Sequence, residues 1–501
     1  MKKILFILLI LSMEISGQLY LKSISQLESK IDSIALIADS HKRDSSSSYL
    51  ISSLKLNNKI PFTENDSVLF IYNGSASSIY WAGDFTGWGT NPKQYTGKKR
   101  GLSNLWTVKA IFPPDARLDY KIILNGNNWI LDPNNALQQW SGFGPNSELR
   151  MPSYLYPTET IRKSIATRGL FSGNKIISSK NLSYNVQYRV YTPNGYESMI
   201  NLPVIFVTDG HEYSDDRLGS MIIVLDNLIS EKKISPIIAV FIDPRDPATS
   251  NNKRMDEYVI NPKFAEFVAS ELVPQIDSTY KTKNHPAFRA ILGTSLGGLN
   301  SAYFGYMKSN IFGLIGIHSP AFWASKDAIF NNYETSPKLP LKIYMSTGTI
   351  NDTQADAERM KSILDAKGYE IKYKEVNESH SWGNWRALID ESLEYFFPYN
   401  PSSKVDDNSE SSIPTGFELK QNFPNPFNPD TTIEYSLPYE NEVKITLYNL
   451  LGSEVVVLEN GIKSKGKHSI SFDGEGLSTG VYFYNLQTDE ISITKKMIIT
   501  K

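Results

Sequence analysis

The 501 residues include no cysteine. Disulfides are excluded, as are zinc sites of the thiolate type, so the chain is held by its cores alone. A dominant charge is also lacking. Lys and Arg number 51 against 53 Asp and Glu, a formal net charge of −2, which leaves no electrostatic footprint for nucleic acid or a polyanionic partner. Long apolar runs are missing apart from Ile4 to Met13, which is too short for a stable membrane anchor. Lys2 and Lys3 precede that run and Ser16 and Gly17 follow it, so residues 1–17 read as a secretory signal peptide. Hydrophobic content of 41% and charged content of 21% are those of a globular protein, and the length predicts two to four domains.

What is present is organised around Arg289-Ala-Ile-Leu-Gly-Thr-Ser-Leu-Gly-Gly298. An apolar run ends in Gly293-Thr-Ser-Leu-Gly297, the pattern G-x-S-x-G, and a helix-compatible segment follows. The pattern predicts a very tight strand-to-helix turn that lifts Ser295 above the edge of a sheet. The helix that starts there places free backbone N–H groups and the positive end of its dipole beside the serine oxygen.

In chain order, residues 18–60 read as a polar helical spacer. Leu21, Ile24, Leu27, Ile31 and Ile34 form one apolar face, and Ser45 to Ser48 interrupt the pattern. That face either docks on a neighbour or pairs two chains. Residues 61–155 turn to short β-runs, at 67–72, 78–82, 106–111 and 118–123, separated by Gly, Pro, Asn and Asp, which predicts a β-sandwich. Trp81-Ala-Gly-Asp-Phe-Thr-Gly-Trp88, Trp106, Asp119-Tyr-Lys121, Asp132-Pro-Asn-Asn135 and Asn146-Ser-Glu-Leu149 resemble an early-set module of the glycogen-binding type, a module that also precedes enterochelin-esterase-like hydrolases. Trp88 and Trp140 either stack on a sugar or aromatic ligand or fill the sandwich core and its interface.

From 156 to 400, near-continuous apolar strands at 202–207, 236–242, 288–292, 314–317, 341–345 and 370–376 interleave with helical stretches near 262–275, 297–307, 353–366 and 384–396. The fold class is α/β, with a mostly parallel sheet covered on both faces, whose working residues lie at the carboxyl ends of strands. Those ends carry Thr208-Asp-Gly-His211, Asp243-Pro-Arg-Asp246, Ser295, Thr347-Gly-Thr-Ile-Asn-Asp352 and Glu378-Ser-His380-Ser-Trp382. Serine, acid and histidine follow the order of an α/β-hydrolase triad. His380 would take the Ser295 proton and return it to the leaving alcohol. Asp352 would hold the imidazole, and the N–H groups of Leu296 and of Gly210 or His211 would hold the oxyanion. Asp356 and Glu358 compete for the role of the acid but fall inside a helix. Of the six histidines, His41, His285, His318 and His468 lack the strand-then-loop context of His380, although His318 follows a strand and is a candidate cleft residue.

Val207-Thr-Asp-Gly210, Phe241-Ile-Asp-Pro-Arg245, Arg254-Met-Asp-Glu-Tyr258 with Asn261-Pro262, Glu271-Leu-Val-Pro274, Gly293 to Gly298, and His380-Ser-Trp382 with Trp385-Arg386 resemble the esterase D and enterochelin-esterase family of α/β-hydrolases. The resemblance implies that Ser295, His380 and Asp352 are catalytic, that His211, Arg254, Tyr258 and Trp382 bind substrate, and that no cofactor or metal is needed. Arg254 alternatively pairs with Asp256 or Glu257. Siderophore trilactones, hydroxycinnamoyl sugars and other acyl esters are the family's substrates, and His211 stands where the iron-scavenging branch commonly has glutamine. A glycan-binding protein on a decayed hydrolase fold and a peptidase of the same fold are the rival functions.

Residues 401–415 form a polar linker. Beyond it, alternating strands at 431–437, 443–448, 468–472, 481–486 and 491–499 predict a small Ig-like sandwich over 416–501. Asn422-Phe-Pro-Asn-Pro-Phe427, Tyr448-Asn-Leu-Leu-Gly452, Gly476-Leu-Ser-Thr-Gly-Val-Tyr-Phe483 and Lys495-Lys-Met497 resemble the sorting domain of type IX (Por) secretion. That implies the secretion machinery as a partner and a secreted or cell-surface location, and no apolar run in the sequence is long enough for a stable membrane span.

Overall fold

The computed structural model describes residues 21–89, 93–399, 416–422 and 425–500. The predicted signal peptide and the 401–415 linker lie outside the described residues. The chain divides into two compact units, the second made of Glu197–Met199 and Ser402–Lys501. Among the described residues no helix is long and apolar enough to cross a membrane.

The first unit opens with two helices, Ile24–Ala35 and Ser40–Leu56. Ser23 caps the first by accepting from the Gln26 N–H, and Asp39 caps the second by accepting from Lys42. The apolar face is buried and docks on a sheet: Leu27, Ile31, Leu50 and Leu54 share one core with Phe62, Leu69, Ile71 and Leu105. The expected interruption at Ser45–Ser48 is not there. Ser47 donates its hydroxyl to the Arg43 carbonyl one turn back, so it is satisfied within the helix, and the break falls between the helices instead. Leu27→Ala is expected to cost about 2–5 kcal/mol in denaturant unfolding of the full chain, because it empties a site that docking has filled.

Two antiparallel sheets follow. One runs β1 (Phe62–Glu64), β2 (Ser67–Asn73), β5 (Leu105–Ile111), β4 (Lys98–Lys99). The other runs β3 (Ile79–Gly83), β6 (Arg117–Leu124), β9 (Gly144–Arg150), β8 (Gln138–Ser141), with β7 (Asn128–Ile130) on β6. Phe70, Trp106 and Val108 from the first meet Trp81, Leu118, Tyr120 and Ile122 from the second in one core.

The largest sheet has nine strands. Its edge is antiparallel: β10 (Leu170–Phe171) and β11 (Lys175–Ser178) pair with β12 (Asn185–Thr192), and β12 pairs with β14 (Ile238–Asp243). The rest is parallel, in the order β14, β13 (Val204–Val207), β15 (Arg289–Thr294), β16 (Leu314–His318), β17 (Lys342–Gly348), β18 (Glu370–Val376). The antiparallel strands are hidden in the sequence by polar residues. Gln187 and Arg189 of β12 sit among apolar neighbours because Gln187 donates to the Arg245 carbonyl, while Arg189 donates to the Ser172 carbonyl and lies over the Phe171 ring. The helix expected near 262–275 runs in three pieces from Pro262 to Thr279, with a π-turn at Val268–Leu272. Pro274 has no N–H to keep an unbroken ladder.

The second unit holds two antiparallel sheets. One orders β19 (Glu418–Leu419), β20 (Asp430–Leu437) and β23 (Gly466–Asp473). The other orders β22 (Glu454–Lys463), β21 (Asn441–Tyr448), β24 (Gly480–Gln487) and β25 (Ser492–Ile499). Ile433, Tyr435, Ile445, Tyr484 and Met497 are buried in its core. β22 is an edge strand with no fully buried residue, which is why no apolar alternation marks it.

Candidate active site

Register sets the site. Thr294 of β15 lies beside His318 of β16, and His318 beside Ser346 of β17, so the loops leaving three neighbouring strands open at one edge. Ser295 follows β15 directly, with φ 59° and ψ −119°, a left-handed conformation for a side chain that rarely adopts one. A Cβ on Gly293 would stand 2.4 Å from the backbone of Gly297, and one on Gly297 would stand 2.6 Å from Oγ1 of Thr208. The two glycines are what let strand, turn and the helix Leu296–Met307 approach so closely.

Nε2 of His380 lies 2.8 Å from Oγ of Ser295, and Nδ1 of His380 lies 2.7 Å from Oδ1 of Asp352. The other Asp352 oxygen accepts from Oγ of Ser319 and from the Gly348 N–H, both at 2.6 Å. Burial alone would push this carboxyl up, but the hydrogen bonds from His380, Ser319 and Gly348 outweigh it, and Asp352 is held below its ordinary value. The edge of the His380 ring meets Trp385 at 4.9 Å between centroids. Asp356 and Glu358 lie on the helix Gln354–Ala366, and Glu358 accepts from Gln354. Leu296 and Gly210 each open a helix, and first-turn N–H groups have no acceptor within their own helix.

The four expected substrate contacts are placed differently. Arg254 pairs with neither Asp256 nor Glu257. Its Nε donates to both carboxylate oxygens of Asp209 at 2.9 Å, and its Nη2 donates to the Thr294 carbonyl at 3.2 Å. Tyr258 is wholly buried and its hydroxyl accepts from the Asp209 N–H at 2.9 Å, so it braces the Asp209–Gly210 turn instead of lining the cleft. Trp382 is also buried, packed edge-on against Tyr213, and donates Nε1–H to Glu212. His211 is the exception, partly open. Burial pushes its pKa down even though Asp243 lies 3.4 Å away, without hydrogen-bond alignment, so the ring stays neutral.

The remaining histidines lie elsewhere. His318 is fully buried in β16, where burial lowers its pKa to about 3, so it does not line the cleft. Nδ1 of His285 accepts from the Ala287 N–H, His468 stacks on Tyr435, and His41 is exposed on its helix. Trp88 is half-buried, donates to Asp84 and stacks on Trp129. Trp140 lies beneath Arg217. Both rings are engaged within the molecule.

Sequence reasoning missed Ser319, Gly348 and Asn384 around Asp352. Ser319 follows a strand end, the same signal that pointed to Ser295, but nothing local says that it reaches an acid 33 residues on. It also missed Glu378, two residues before His380. Burial pushes the Glu378 carboxyl up to about 8; Arg117, 3.8 Å away and too far to hydrogen-bond, opposes this, and Glu148, Asp119 and Asp84 add to it. The folded state therefore keeps a proton that the unfolded chain loses near the ordinary value of 4.5, so stability falls as pH rises from there to about 8. Glu378→Gln removes that loss. Its melting temperature is expected to match wild type near pH 4 and to exceed it by pH 8, by a stability gain on the order of a few kcal/mol.

Residues 179–396 match the model of the Esterase family. They form an esterase-family domain. The chain is 27% identical over 226 residues to the uncharacterized protein YjcH of Bacillus subtilis, 43% of this chain and 92% of that protein. It is 23% identical over 219 residues to an endo-1,4-beta-xylanase/feruloyl esterase of Xylanibacter ruminicola, 42% of this chain and 29% of that protein. The enterobactin esterase FES of Shigella flexneri shares the fold, with a TM-score of 0.56 at 18% identity over 66% of this chain and 92% of that one. Residues 421–500 match the secretion system C-terminal sorting domain. The esterase is thus an exported protein, secreted or at the cell surface.

Proposed function

We propose that the chain is a serine esterase that cleaves carboxylic esters through an acyl-enzyme on Ser295. The relay from Asp352 through His380 to Ser295, at 2.7 and 2.8 Å, carries the proposal. His380 takes the serine proton as Oγ attacks the acyl carbon, and then gives it to the departing alcohol. Asp352 keeps the Nδ1 proton in place and stabilises the imidazolium. The N–H groups of Leu296 and Gly210 hold the tetrahedral oxyanion, each worth on the order of 3 kcal/mol in the transition state. Water then repeats the sequence on the acyl-enzyme, and Ser295 is released. No step needs a metal or organic cofactor.

The substrates are esters of acyl-sugar, hydroxycinnamoyl or siderophore-lactone type, and the names of the similar proteins support the last two. In domain terms, 1–17 is a signal peptide, 18–60 a docked helical spacer, 61–155 an early-set module, 156–400 the esterase domain and 416–501 the sorting module. The test is turnover of p-nitrophenyl acetate, methyl ferulate and a catecholate trilactone. Hydrolysis of at least one supports the proposal and names the branch, and hydrolysis of none overturns it.

A further inference from the structure

The loops that carry His380 and Asp352 are held from outside the esterase domain. Arg117, the first residue of β6, is fully buried. Its guanidinium pairs with Asp119, donates Nε–H to Glu148 at 2.8 Å, and donates from Nη1 to Oγ of Ser381 at 3.2 Å, one residue after His380. The Arg117 backbone N–H donates to the Asn377 carbonyl, three residues before His380. A Cβ on Gly383 would stand 2.0 Å from this guanidinium, so the helix Trp382–Arg386 lies directly on it.

A second hold reaches the other loop. Asn351, beside Asp352, donates Nδ2–H to the Asp84 carbonyl at 2.7 Å, and Ile350 packs against the core between the two N-terminal sheets. Asp84 in turn accepts from the Asp119 N–H at 2.7 Å, which ties the second hold to the first.

A buried guanidinium is a costly way to join two modules, because its desolvation is offset only by well-aligned partners, and apolar packing would join them as well. What the guanidinium adds is direction: its planar fork fixes three partners at once. Ser381 shows the same preference. It caps the helix Trp382–Arg386, yet its side chain makes no capping bond and accepts from Arg117 instead.

We infer that the N-terminal two-sheet module is a working part of the active site, with Arg117 as a positioning residue that sets the His380 loop and, through Asp84, the Asp352 loop. The inference rests on the proposed triad. It predicts that loosening this link lowers the rate of the chemical step and leaves ester binding alone, because a small misplacement of a catalytic group is felt in the transition state and not in the ground state.

The test uses the full chain, p-nitrophenyl acetate, and the variants Ser381→Ala, Arg117→Lys and the two combined. Ser381→Ala removes the neutral partner without uncovering a charge, so it separates positioning from folding. Arg117→Lys keeps the charge but loses the fork. Each is expected to lower kcat by roughly 10- to 100-fold with KM within about twofold. Ser381→Ala leaves one buried Nη1 hydrogen bond unmade, so it is expected to melt a few degrees below wild type and to stay fully folded at the assay temperature. The double variant is expected to lose no more than the worse single, because both cut one link. Wild-type kcat in Ser381→Ala, a raised KM at unchanged kcat, or losses that add in the double variant would each overturn the inference. Ser295→Ala, run alongside, separates the two claims. If it is inactive while the link variants keep wild-type kcat, only the positioning role fails. If it turns over at the wild-type rate, the triad fails and the positioning role with it.

Discussion

Ser295→Ala is expected to lower kcat for any ester the protein hydrolyses by roughly 10⁴-fold or more, with the fold and melting temperature unchanged. The variant removes one oxygen, which is the attacking atom. Without it no acyl-enzyme forms, and the residual rate is what oriented binding and the oxyanion donors give to direct attack by water. The effect on stability is small because Ser295 is strained as it stands. At φ 59° it sits on a turn that a serine does not choose, and an alanine there suffers the same strain. Stopped-flow and steady-state turnover, with a melting curve on the same sample, read both quantities.

The second large effect is expected at Asp352. Replacement by asparagine changes charge and almost nothing in volume, yet kcat is expected to fall by roughly 10³- to 10⁴-fold. Five donors converge on this carboxylate: Nδ1 of His380 and the Thr353 N–H on one oxygen, and the Ser319 hydroxyl, the Gly348 N–H and the Asn384 amide on the other. An asparagine has a single oxygen to offer. Fixed donors stand on both sides, but the Gly348 N–H and the Asn384 amide on one outnumber the Thr353 N–H on the other, so the amide oxygen faces Gly348 and the amide NH₂ faces His380. The imidazole then accepts at Nδ1 and carries its proton on Nε2, 2.8 Å from Ser295, where it has no lone pair for the serine proton. Steady-state kinetics of the variant reads the loss. A variant within about tenfold of wild type would place the acid elsewhere.

The elbow was legible because its requirements are local. Gly293 and Gly297 are needed by contacts with the turn's own backbone and with the Thr208 side chain, and the pattern of small residues records that need. The order of serine, acid and histidine was legible because a parallel sheet delivers every strand end to one edge, so each strand-then-loop junction is a candidate. What was hidden depends on partners far along the chain. Arg254 has acidic residues two and three positions away, yet it pairs with Asp209, 45 residues back, because the Asp209 turn and the end of β15 meet in space. The resemblance implies that Tyr258 and Trp382 bind substrate, but the Tyr258 oxygen accepts from the Asp209 N–H and the Trp382 N–H donates to Glu212. Arg117 reads as one more strand residue, and its reach to Ser381 spans 264 positions. No periodicity or motif encodes a contact of that range.

The central claim is that Ser295 is the nucleophile. Its most direct measurement is peptide mapping by mass spectrometry after the protein has reacted to completion with diisopropyl fluorophosphate. The account predicts one phosphoryl adduct, on Ser295, formed as ester turnover is lost. An adduct on another residue, or full turnover that survives with Ser295 modified, would contradict it.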